Sequence, residues 1–298
     1  MTELLSSERH ATLRSKDRVV IVGDIHGCVR ELKELLALHT RPGDTLIFAG
    51  DLVNKGPNSA EVLSIARTKG ALGVIGNHEL AVLRAHRDGF GEDKRFAWVQ
   101  ELSRQDVEYL RELPLTIHIP AHESLVVHAG LVPGLSLEQQ SVRDMTHMRD
   151  VVEEEEDGDD DVCYRALESP TGQPWAECWS GDGHRKFVSD LGIEGGSLLH
   201  VYFGHDAKRG LQQYRHATGL DTGCLYGGEL TAAILKVGEP TRMVSVKAKQ
   251  QYVIPADQLP RHASWSPRWK LLGVGCGLVG VYMAWRQLRD RGPSLDAS

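Results

Sequence analysis

The sequence predicts an α/β protein, and three observations support this class. Between Val19 and Ile75 short apolar runs alternate with helical patterns, in the order strand, helix, strand, helix, strand. Such a βαβαβ order implies a parallel sheet with helices packed on it. Beyond residue 113 apolar runs follow one another with few helices between them, so the second half is β-rich. The chain has 298 residues, of which 41% are hydrophobic, enough to bury a sizeable core.

The individual elements follow from the spacing of apolar residues. Val19–Val22 is a continuous β-branched run, typical of a buried strand, and Leu32, Leu35 and Leu36 share one face of a helix. By the same criteria the first half contains strands at 19–22, 45–49 and 72–75 and helices at 28–39, 60–68, 80–87 and 103–113. The later strands are expected at 115–120, 125–127, 199–203, 230–235 and 243–246.

Charge and cysteine content exclude several classes of protein. The 34 basic and 41 acidic residues give a net charge of -7, and eight of the acids lie in the run 153–161. We interpret that run as a solvated loop, because like charges repel and resist burial. The remainder is near neutral, so a surface for duplex DNA is not expected, and nothing predicts an obligate protein partner. The five cysteines include no CxxC pair, which predicts a reducing compartment without a disulfide framework or structural zinc; Cys28 and Cys224 are interpreted as packing residues.

The composition divides the chain into three parts. Residues 1–18 are polar and carry no secretory signal, residues 19–250 hold the folded domain, and 251–298 is rich in proline, tryptophan and arginine. Within the last part, 271–285 is a run of fifteen uncharged residues. As a helix it spans about 22 Å, somewhat less than a bilayer core of roughly 30 Å. We expect a cytoplasmic domain tail-anchored to an intracellular membrane; the alternative is a soluble cytoplasmic protein in which this helix is buried.

Five short polar segments follow predicted strands and carry the chemistry. Their shared feature is Asp, Asn and His beside glycine, and they are GDIHG at 23–27, GDLVNKGP at 50–57, GNHE at 76–79, HAG at 128–130 and GHD at 204–206. Strand ends of an open α/β sheet collect ligands in one crevice, so these segments should converge. Oxygen and imidazole donors suit Mn, Fe, Zn or Mg. Six such donors exceed one four-coordinate site, so the sequence predicts two divalent metal ions.

These segments resemble, in the same order, the GDxHG, GDxVDRG, GNHE, HAG and GH motifs of the PPP-type metallophosphoesterases. The resemblance covers about Val19 to Lys236. The segment 219–231 is similar to the closing segment of symmetrical diadenosine tetraphosphatases, and 54–57 and 204–210 are similar to their eukaryotic ApaH-like relatives. This family resemblance implies a central β-sandwich of mixed sheets flanked by helices, in four αββα layers.

The resemblance also implies a role for each motif residue. It makes Asp24 and His26 ligands of the first metal, with Asp51 bridging both ions. It assigns the second metal to Asn77, His128 and His205. His78 is not a ligand in this pattern; it protonates the leaving oxygen as general acid.

Three positions depart from the protein phosphatase pattern, and each bears on the substrate. Asn54 and Lys55 stand where that pattern has Asp and Arg, and Ile75 also replaces an Arg. Asn54 can accept a hydrogen bond from His78 but brings no negative charge, so the imidazolium should be less firmly protonated. Lys55 offers a point charge instead of a bidentate fork. A weaker acid suffices for a phosphoanhydride, whose departing phosphate is a good leaving group.

The sequence therefore predicts a dimetal hydrolase that cuts phosphoanhydride bonds. It leaves open whether the substrate is a dinucleoside polyphosphate, the 5' cap of an mRNA or inorganic polyphosphate. Lys55, Lys208 and Arg209 are candidate phosphate-binding residues, although the last two are equally well read as solvated loop cations. The alternatives are a protein serine/threonine phosphatase and, of another class, a non-catalytic membrane-tethered binding module.

Overall fold

The computed structural model describes residues 9–89, 91, 93–154, 163–180 and 199–255. Its strands are β1 (His10–Thr12), β2 (Val19–Val22), β3 (Thr45–Phe48), β4 (Leu72–Gly73), β5 (Thr116–Ile119), β6 (Ser124–Val127), β7 (Asp150–Glu154), β8 (Cys163–Leu167), β9 (Gln173–Pro174), β10 (His200–Phe203), β11 (Gln212–Gln213), β12 (Ala217–Gly219), β13 (Glu229–Leu235) and β14 (Arg242–Lys247). Its α-helices are α1 (Val29–His39), α2 (Ser59–Lys69), α3 (Asn77–Asp88), α4 (Arg104–Glu112), α5 (Val142–His147) and α6 (Trp175–Cys178).

The strands form two large mixed sheets and one small one. The five-stranded sheet has the order β14-β13-β2-β3-β4, in which β2, β3 and β4 are parallel and β13 is antiparallel to β2. The six-stranded sheet has the order β1-β5-β6-β10-β12-β11, and β10 is parallel to both of its neighbours. The small sheet has the order β8-β7-β9.

Alternating side chains of the strands form the two apolar cores. Val19 and Ile21 of β2 and Ile47 of β3 pack with Ile117 and Val126 of the other sheet. Thus the two large sheets lie face to face. The opposite faces of the strands pack in the second core with apolar residues of the helices, among them Leu32 and Leu35 of α1. The predicted α/β class, with mixed sheets flanked by helices, is confirmed.

Some elements differ from the sequence prediction. The polar residues of β1 form a parallel pair with β5, because Thr116, Ile117 and His118 offer backbone groups that the short strand can use. The first two residues of the acidic run, Glu153 and Glu154, are not loop: they end β7 and pair with β8. The rest of that run, 155–161, lies outside the described residues.

The predicted apolar helix 271–285 also lies outside the described residues. Within the ranges given above, no helix has both the length and the apolar character needed to cross a membrane. The prediction of a tail anchor is therefore untested.

Candidate metal centre

Loops after five strands bring all six predicted ligands to one end of the sandwich. The strands and the ligands that follow them are β2 with Asp24 and His26, β3 with Asp51, β4 with Asn77, β6 with His128, and β10 with His205. Five of the six are buried, all but Asn77. Because β2 and β3 belong to one sheet and β6 and β10 to the other, the site lies across the junction of the two sheets.

Asp51 is the residue that the other side chains surround. Its Oδ2 lies 3.5 Å from Nε2 of His26 and 4.0 Å from Nε2 of His78. Its Oδ1 lies 3.4 Å from Nε2 of His128. Two groups of potential ligand atoms, each within 4.8 Å of one another, share Asp51: one with His26 and His78, the other with His128 and His205. A carboxylate placed in this way could bridge two metal ions.

Asp24 faces the same space from β2. Both of its carboxylate oxygens accept the backbone N–H of His205, at 3.1 and 3.2 Å, and Oδ2 lies 4.0 Å from Nε2 of His26. The buried carboxyl of Asp221, in the segment after β12, lies next to it. Burial, followed by the charges of Asp221 and Asp51, raises the pKa of Asp24 well above its usual range. A cation here would reverse that shift by stabilising the carboxylate.

The three candidate histidine ligands each turn one ring nitrogen toward a backbone carbonyl. Nδ1 of His26 is 3.3 Å from the oxygen of Val53, and Nδ1 of His128 is 2.8 Å from that of Ala49. Nε2 of His205 is 2.9 Å from the carbonyl oxygen of His147. A carbonyl only accepts, so the proton of each ring sits on that nitrogen. The other nitrogen keeps its lone pair and faces the cluster; in metal-binding histidines a hydrogen bond of this kind fixes the orientation of the ring.

The side chain of Asn77 provides a direct test of whether this cluster fits a metal. Its amide oxygen is 3.1 Å from Nε2 of His128, 3.2 Å from Oδ2 of Asp51 and 3.3 Å from Nδ1 of His205. All of these atoms are acceptors, so the oxygen lacks a donor. If the amide of Asn77 were turned by 180°, its nitrogen would donate to these acceptors. In the present orientation, a cation bound between these atoms would satisfy the amide oxygen. Carboxylate, amide and imidazole donors together fit a divalent ion such as Mn, Fe, Zn or Mg.

Burial and the neighbouring charges set the protonation of this cluster. Burial raises the pKa of Asp51, but at acid pH, where the surrounding histidines are protonated, their charge, led by that of His128 and His78, holds that pKa well below its usual range. Burial lowers the pKa of His26 to about 3 and that of His205 well below its usual value. Asp51 is therefore a carboxylate and both rings are neutral, which is the protonation state that metal binding requires.

The ligand loops hold strained backbone. His26, Asp51 and His205 have φ values of 46°, 49° and 72°, in the left-handed region that side chains other than glycine seldom adopt. Such conformations cost about 1–3 kcal/mol each and persist where the surroundings fix them. The backbone at Gly204 also lies very close to the side chain of Asp24. A Cβ on Gly204 would lie 2.0 Å from Oδ1 of Asp24, too close for any residue but glycine. The glycine before His205 therefore lets the two sheets' loops meet.

Glu79 holds two of these loops in place. Its carboxylate accepts the backbone N–H groups of Asp51, Leu52 and Val53 at 2.8, 2.8 and 3.2 Å, and that of Gly76 at 2.8 Å. Burial and the charge of Asp51 raise the pKa of Glu79 to about 8, while these backbone groups favour the charged form. The sequence indicated no role for Glu79, although an acid at the third position of a helix, here bonded to the backbone N–H of the capping Gly76, is typical of helix capping.

His78 differs from the candidate ligands in its hydrogen bond. Asn54 Oδ1 accepts the backbone N–H of Lys55 at 2.9 Å, so the amide nitrogen faces Nδ1 of His78, 3.0 Å away. Nδ1 is thus the acceptor and Nε2 carries the proton on the side of Asp51. The expectation that Asn54 accepts a hydrogen bond from His78 is wrong: Asn54 donates it. Burial lowers the pKa of His78 to about 4, and the nearby charge of Lys55 adds to this effect.

The candidate phosphate-binding cations occupy different environments. Lys55 is exposed at the rim of the site. Lys208 is exposed on the loop after His205. Arg209 is already paired, with Asp206 at 2.5 Å and with the fully buried Asp150 at 2.6 Å. Binding of phosphate by these three side chains stays a prediction.

Arg149 is a further cation at the site that the sequence did not indicate. Its Nη2 donates to the carbonyl oxygen of His205 at 3.3 Å, and its Nε lies 3.8 Å from Asp206. It precedes β7 and lies in none of the five motifs, so only the tertiary structure reveals it. Asp221 was likewise missed as a site residue, although its segment was noted for its resemblance.

The fold and the site define a metallophosphoesterase. The calcineurin-like phosphoesterase family matches residues 17–229, and the chain belongs to this family. It is accordingly a hydrolase that acts on phosphoric anhydride or ester bonds.

Several relatives carry a narrower description. The symmetrical bis(5'-nucleosyl)-tetraphosphatase of Coxiella burnetii is 28% identical over 79% of this chain and 94% of its own length. The protein of that name from Methylococcus capsulatus is 30% identical over 72% of this chain and 90% of its own. A crystal structure described as that of a candidate diadenosine tetraphosphatase is 36% identical, with a TM-score of 0.66, and covers 81% of this chain and 98% of its own. These relatives support phosphoanhydride hydrolysis.

Proposed function

We propose that this chain hydrolyses a phosphoanhydride bond of a dinucleoside polyphosphate with the help of two divalent metal ions. The observation that carries the proposal is the position of Asp51, one oxygen 3.5 Å from His26 and the other 3.4 Å from His128. The names of the relatives support the choice of substrate. Neither the protein phosphatase nor the binding-module alternative gains support from those relatives.

In this proposal the chain's ligands divide into two sets that share Asp51. Asp24 and His26 would hold one ion, and Asn77, His128 and His205 would hold the other. When bound, the ions supply a nucleophilic water at neutral pH and neutralise charge on the phosphoryl oxygens. The chain itself positions these side chains through backbone carbonyls and through Glu79, so little rearrangement is needed when substrate arrives.

His78 would act on the leaving oxygen. Its Nε2 carries the proton and faces the site, because Asn54 donates to Nδ1. A neutral imidazole N–H donates a hydrogen bond to the leaving oxygen but keeps its proton, so it suits a leaving group that departs as a stable anion. A nucleotide or phosphate leaving a phosphoanhydride is such a group, whereas a serine alkoxide is strongly basic. The Asn54 contact thus favours the anhydride.

Exposed and partly exposed cations would bind the rest of the polyphosphate. Lys55 lies close enough to His78 for its charge to lower the pKa of that ring, and Arg149 donates to the backbone carbonyl of His205. Ile75, which replaces an Arg of the protein phosphatase pattern, is fully buried and offers no charge to a phosphate. A chain of phosphates that contacts more than one cation fits this distribution better than a single phosphoserine.

A substrate panel tests the proposal. The purified full-length chain is assayed with Mn²⁺ or Zn²⁺ on diadenosine tetraphosphate, capped RNA, inorganic polyphosphate and a phosphoserine peptide, and kcat/KM is measured for each. We expect the tetraphosphate to have the highest value. We expect Asp51→Asn to lose activity on all four substrates.

Each other ranking has a defined meaning. A higher kcat/KM for capped RNA or polyphosphate would retain the phosphoanhydride reaction but reject the dinucleotide. A higher value for the phosphopeptide would overturn the proposal. A chain that holds well under one ion per molecule, and that no added metal activates, would favour the binding-module alternative.

A further inference from the structure

A second cluster of potential metal ligands lies outside the candidate metal centre. It consists of Cys28, which precedes α1, Glu31 in the first turn of α1, and Cys224, which begins a short helix at Cys224–Tyr226. The two sulfur atoms and a carboxylate oxygen lie within 4.8 Å of one another. The three residues are 0%, 0% and 1% exposed. Residues almost 200 positions apart in the chain thus form one buried group of soft and hard ligands.

The carboxylate of this cluster is held by neutral donors. Oε1 of Glu31 accepts the backbone N–H of Lys249 at 2.6 Å and the hydroxyl of Tyr252 at 2.9 Å, and Oε2 is 3.1 Å from the same hydroxyl. The ammonium of Lys249 pairs with Glu34 instead. Among the described residues no Lys or Arg side chain forms an ion pair with Glu31. A buried carboxylate without a cation is costly, and here the groups that remain beside it are two thiols.

We propose that Cys28, Glu31 and Cys224 bind a structural Zn²⁺ ion, separate from the candidate metal centre. Two thiolates select a soft or borderline ion, and Zn²⁺ accepts sulfur and carboxylate ligands together. Binding releases the two thiol protons to solvent, and the formal charge of the three ligands is offset in part by the ion. Lys249 and Tyr252 orient the carboxylate from outside the first coordination shell.

The position of this site explains what the ion would stabilise. Cys28 is two residues from His26, and Cys224 is three residues from Asp221, so both flanking segments reach the candidate metal centre. Tyr252 also donates its backbone N–H to Leu225 at 3.0 Å. A zinc ion here would therefore fasten the start of α1, the segment after β12 and the segment after β14 to one another.

Cobalt spectroscopy separates the two kinds of site. The full-length chain is stripped of metal, loaded with Co²⁺ and examined for the sulfur-to-cobalt charge-transfer band in the near ultraviolet. The candidate metal centre has only nitrogen and oxygen ligands, so it cannot give this band. We expect the wild type to show the band and Cys28→Ser and Cys224→Ser to lose it. Cys163→Ser, at the half-buried thiol of β8, is the matched control and should retain it.

Metal content gives a second readout that does not depend on activity. Elemental analysis should find about one zinc ion per chain fewer in the Cys28→Ser/Cys224→Ser variant than in the wild type or the Cys163→Ser control. Should the serine variants fail to fold, cadmium NMR of the wild type decides, because thiolate-bound cadmium is shifted far from cadmium bound by nitrogen and oxygen. A fully loaded wild type without a sulfur band or a thiolate-shifted cadmium signal would overturn the proposal. Peptide mapping that finds Cys28 and Cys224 joined by a disulfide would do so as well.

Discussion

Single hydrogen bonds distinguish the histidines of the site. His26, His128 and His205 each donate from one nitrogen to a carbonyl and keep a lone pair toward the cluster, whereas His78 accepts from Asn54 and keeps its N–H there. Three imidazole rings therefore present an acceptor nitrogen to the ligand cluster, and the ring of His78 presents a donor N–H. The proposed roles require this difference: three rings offer a lone pair to a metal ion, and the fourth offers an N–H to the leaving oxygen.

The contrast between His78 and His128 can be tested by replacing each with glutamine. We expect His78→Gln to keep its metal and to lower kcat by about 10²–10⁴-fold, because a positioned acid contributes that much. His128→Gln should lose metal as well as activity. Metal content and kcat are measured on the same preparations, and a loss of metal in His78→Gln would make His78 a ligand instead.

Asn54→Asp tests how Asn54 sets the acidity of His78. A carboxylate beside Nδ1 stabilises the imidazolium, so the pKa of His78 rises from about 4 and its protonated form persists to higher pH. Each unit of that rise is worth about 1.4 kcal/mol. The ratio of phosphopeptide to tetraphosphate hydrolysis should increase about tenfold, with the alkaline limb of the peptide pH profile moved upward.

The control for this change is Asn54→Gly. Residue 54 has a φ of 71°, which glycine adopts without strain, so this variant removes the hydrogen bond and adds no charge. It should show no gain on the phosphopeptide. If Asn54→Gly and Asn54→Asp gained equally on the phosphopeptide, the negative charge at residue 54 would not be the cause of the gain.

At the scale of elements, the strand-end loops depend on close backbone contacts. In Gly204→Ala the added Cβ meets Oδ1 of Asp24 and must displace it. Because a shift of about 1 Å at a reacting group can cost 10²-fold, we expect kcat/KM to fall by about that factor. Gly73→Ala on β4, whose nearest contact is 3.3 Å, is the control and should be much milder. Comparable losses in the two variants would contradict the close-contact argument.

Arg209 links the loop after β10 to the start of β7, and its removal should affect folding. Asp150 is fully buried and bonds to Arg209 and to the backbone N–H of Gly172. Arg209→Ala leaves this carboxylate without its cation, which costs about 3–5 kcal/mol and lowers Tm by several degrees. Lys208→Ala, at an exposed neighbour, should leave Tm nearly unchanged. A raised KM with an unaltered Tm in Arg209→Ala would instead indicate direct binding of phosphate.

The elements that the sequence predicted well are those whose pattern is local. β2 and β3 are continuous apolar runs buried on both faces, and the ligands directly follow them. The strands β7 to β9 were missed because none of them is a continuous apolar run and all three depend on pairing with one another. The bonds of Glu79, Arg149 and Arg209 join segments distant in the chain, and no local pattern records them. No local pattern indicates the Cys28 and Cys224 pair either, because the two residues lie far apart in the chain and form no CxxC motif.

At the scale of the whole molecule, the ligands come from two sheets that face each other. The apolar run 271–285, which lies outside the described residues, predicts a tail anchor. A variant that ends at Pro255 should move from the membrane fraction to the supernatant, while its kcat on the tetraphosphate stays unchanged. Fractionation of cells that express both forms measures this, and an identical distribution of the two would remove the anchor.

Glu79 has a consequence that reaches beyond its own hydrogen bonds. Its helix, α3, packs by Leu80 and Leu83 in the core that lies outside the sandwich, while its first turn carries Asn77 and His78. The Glu79 carboxylate is hydrogen-bonded to the backbone at Asp51. A small displacement of α3 would therefore also move the side chain of Asp51. Substitutions on the remote side of α3 can therefore tune turnover from a distance, without altering any group that meets the substrate.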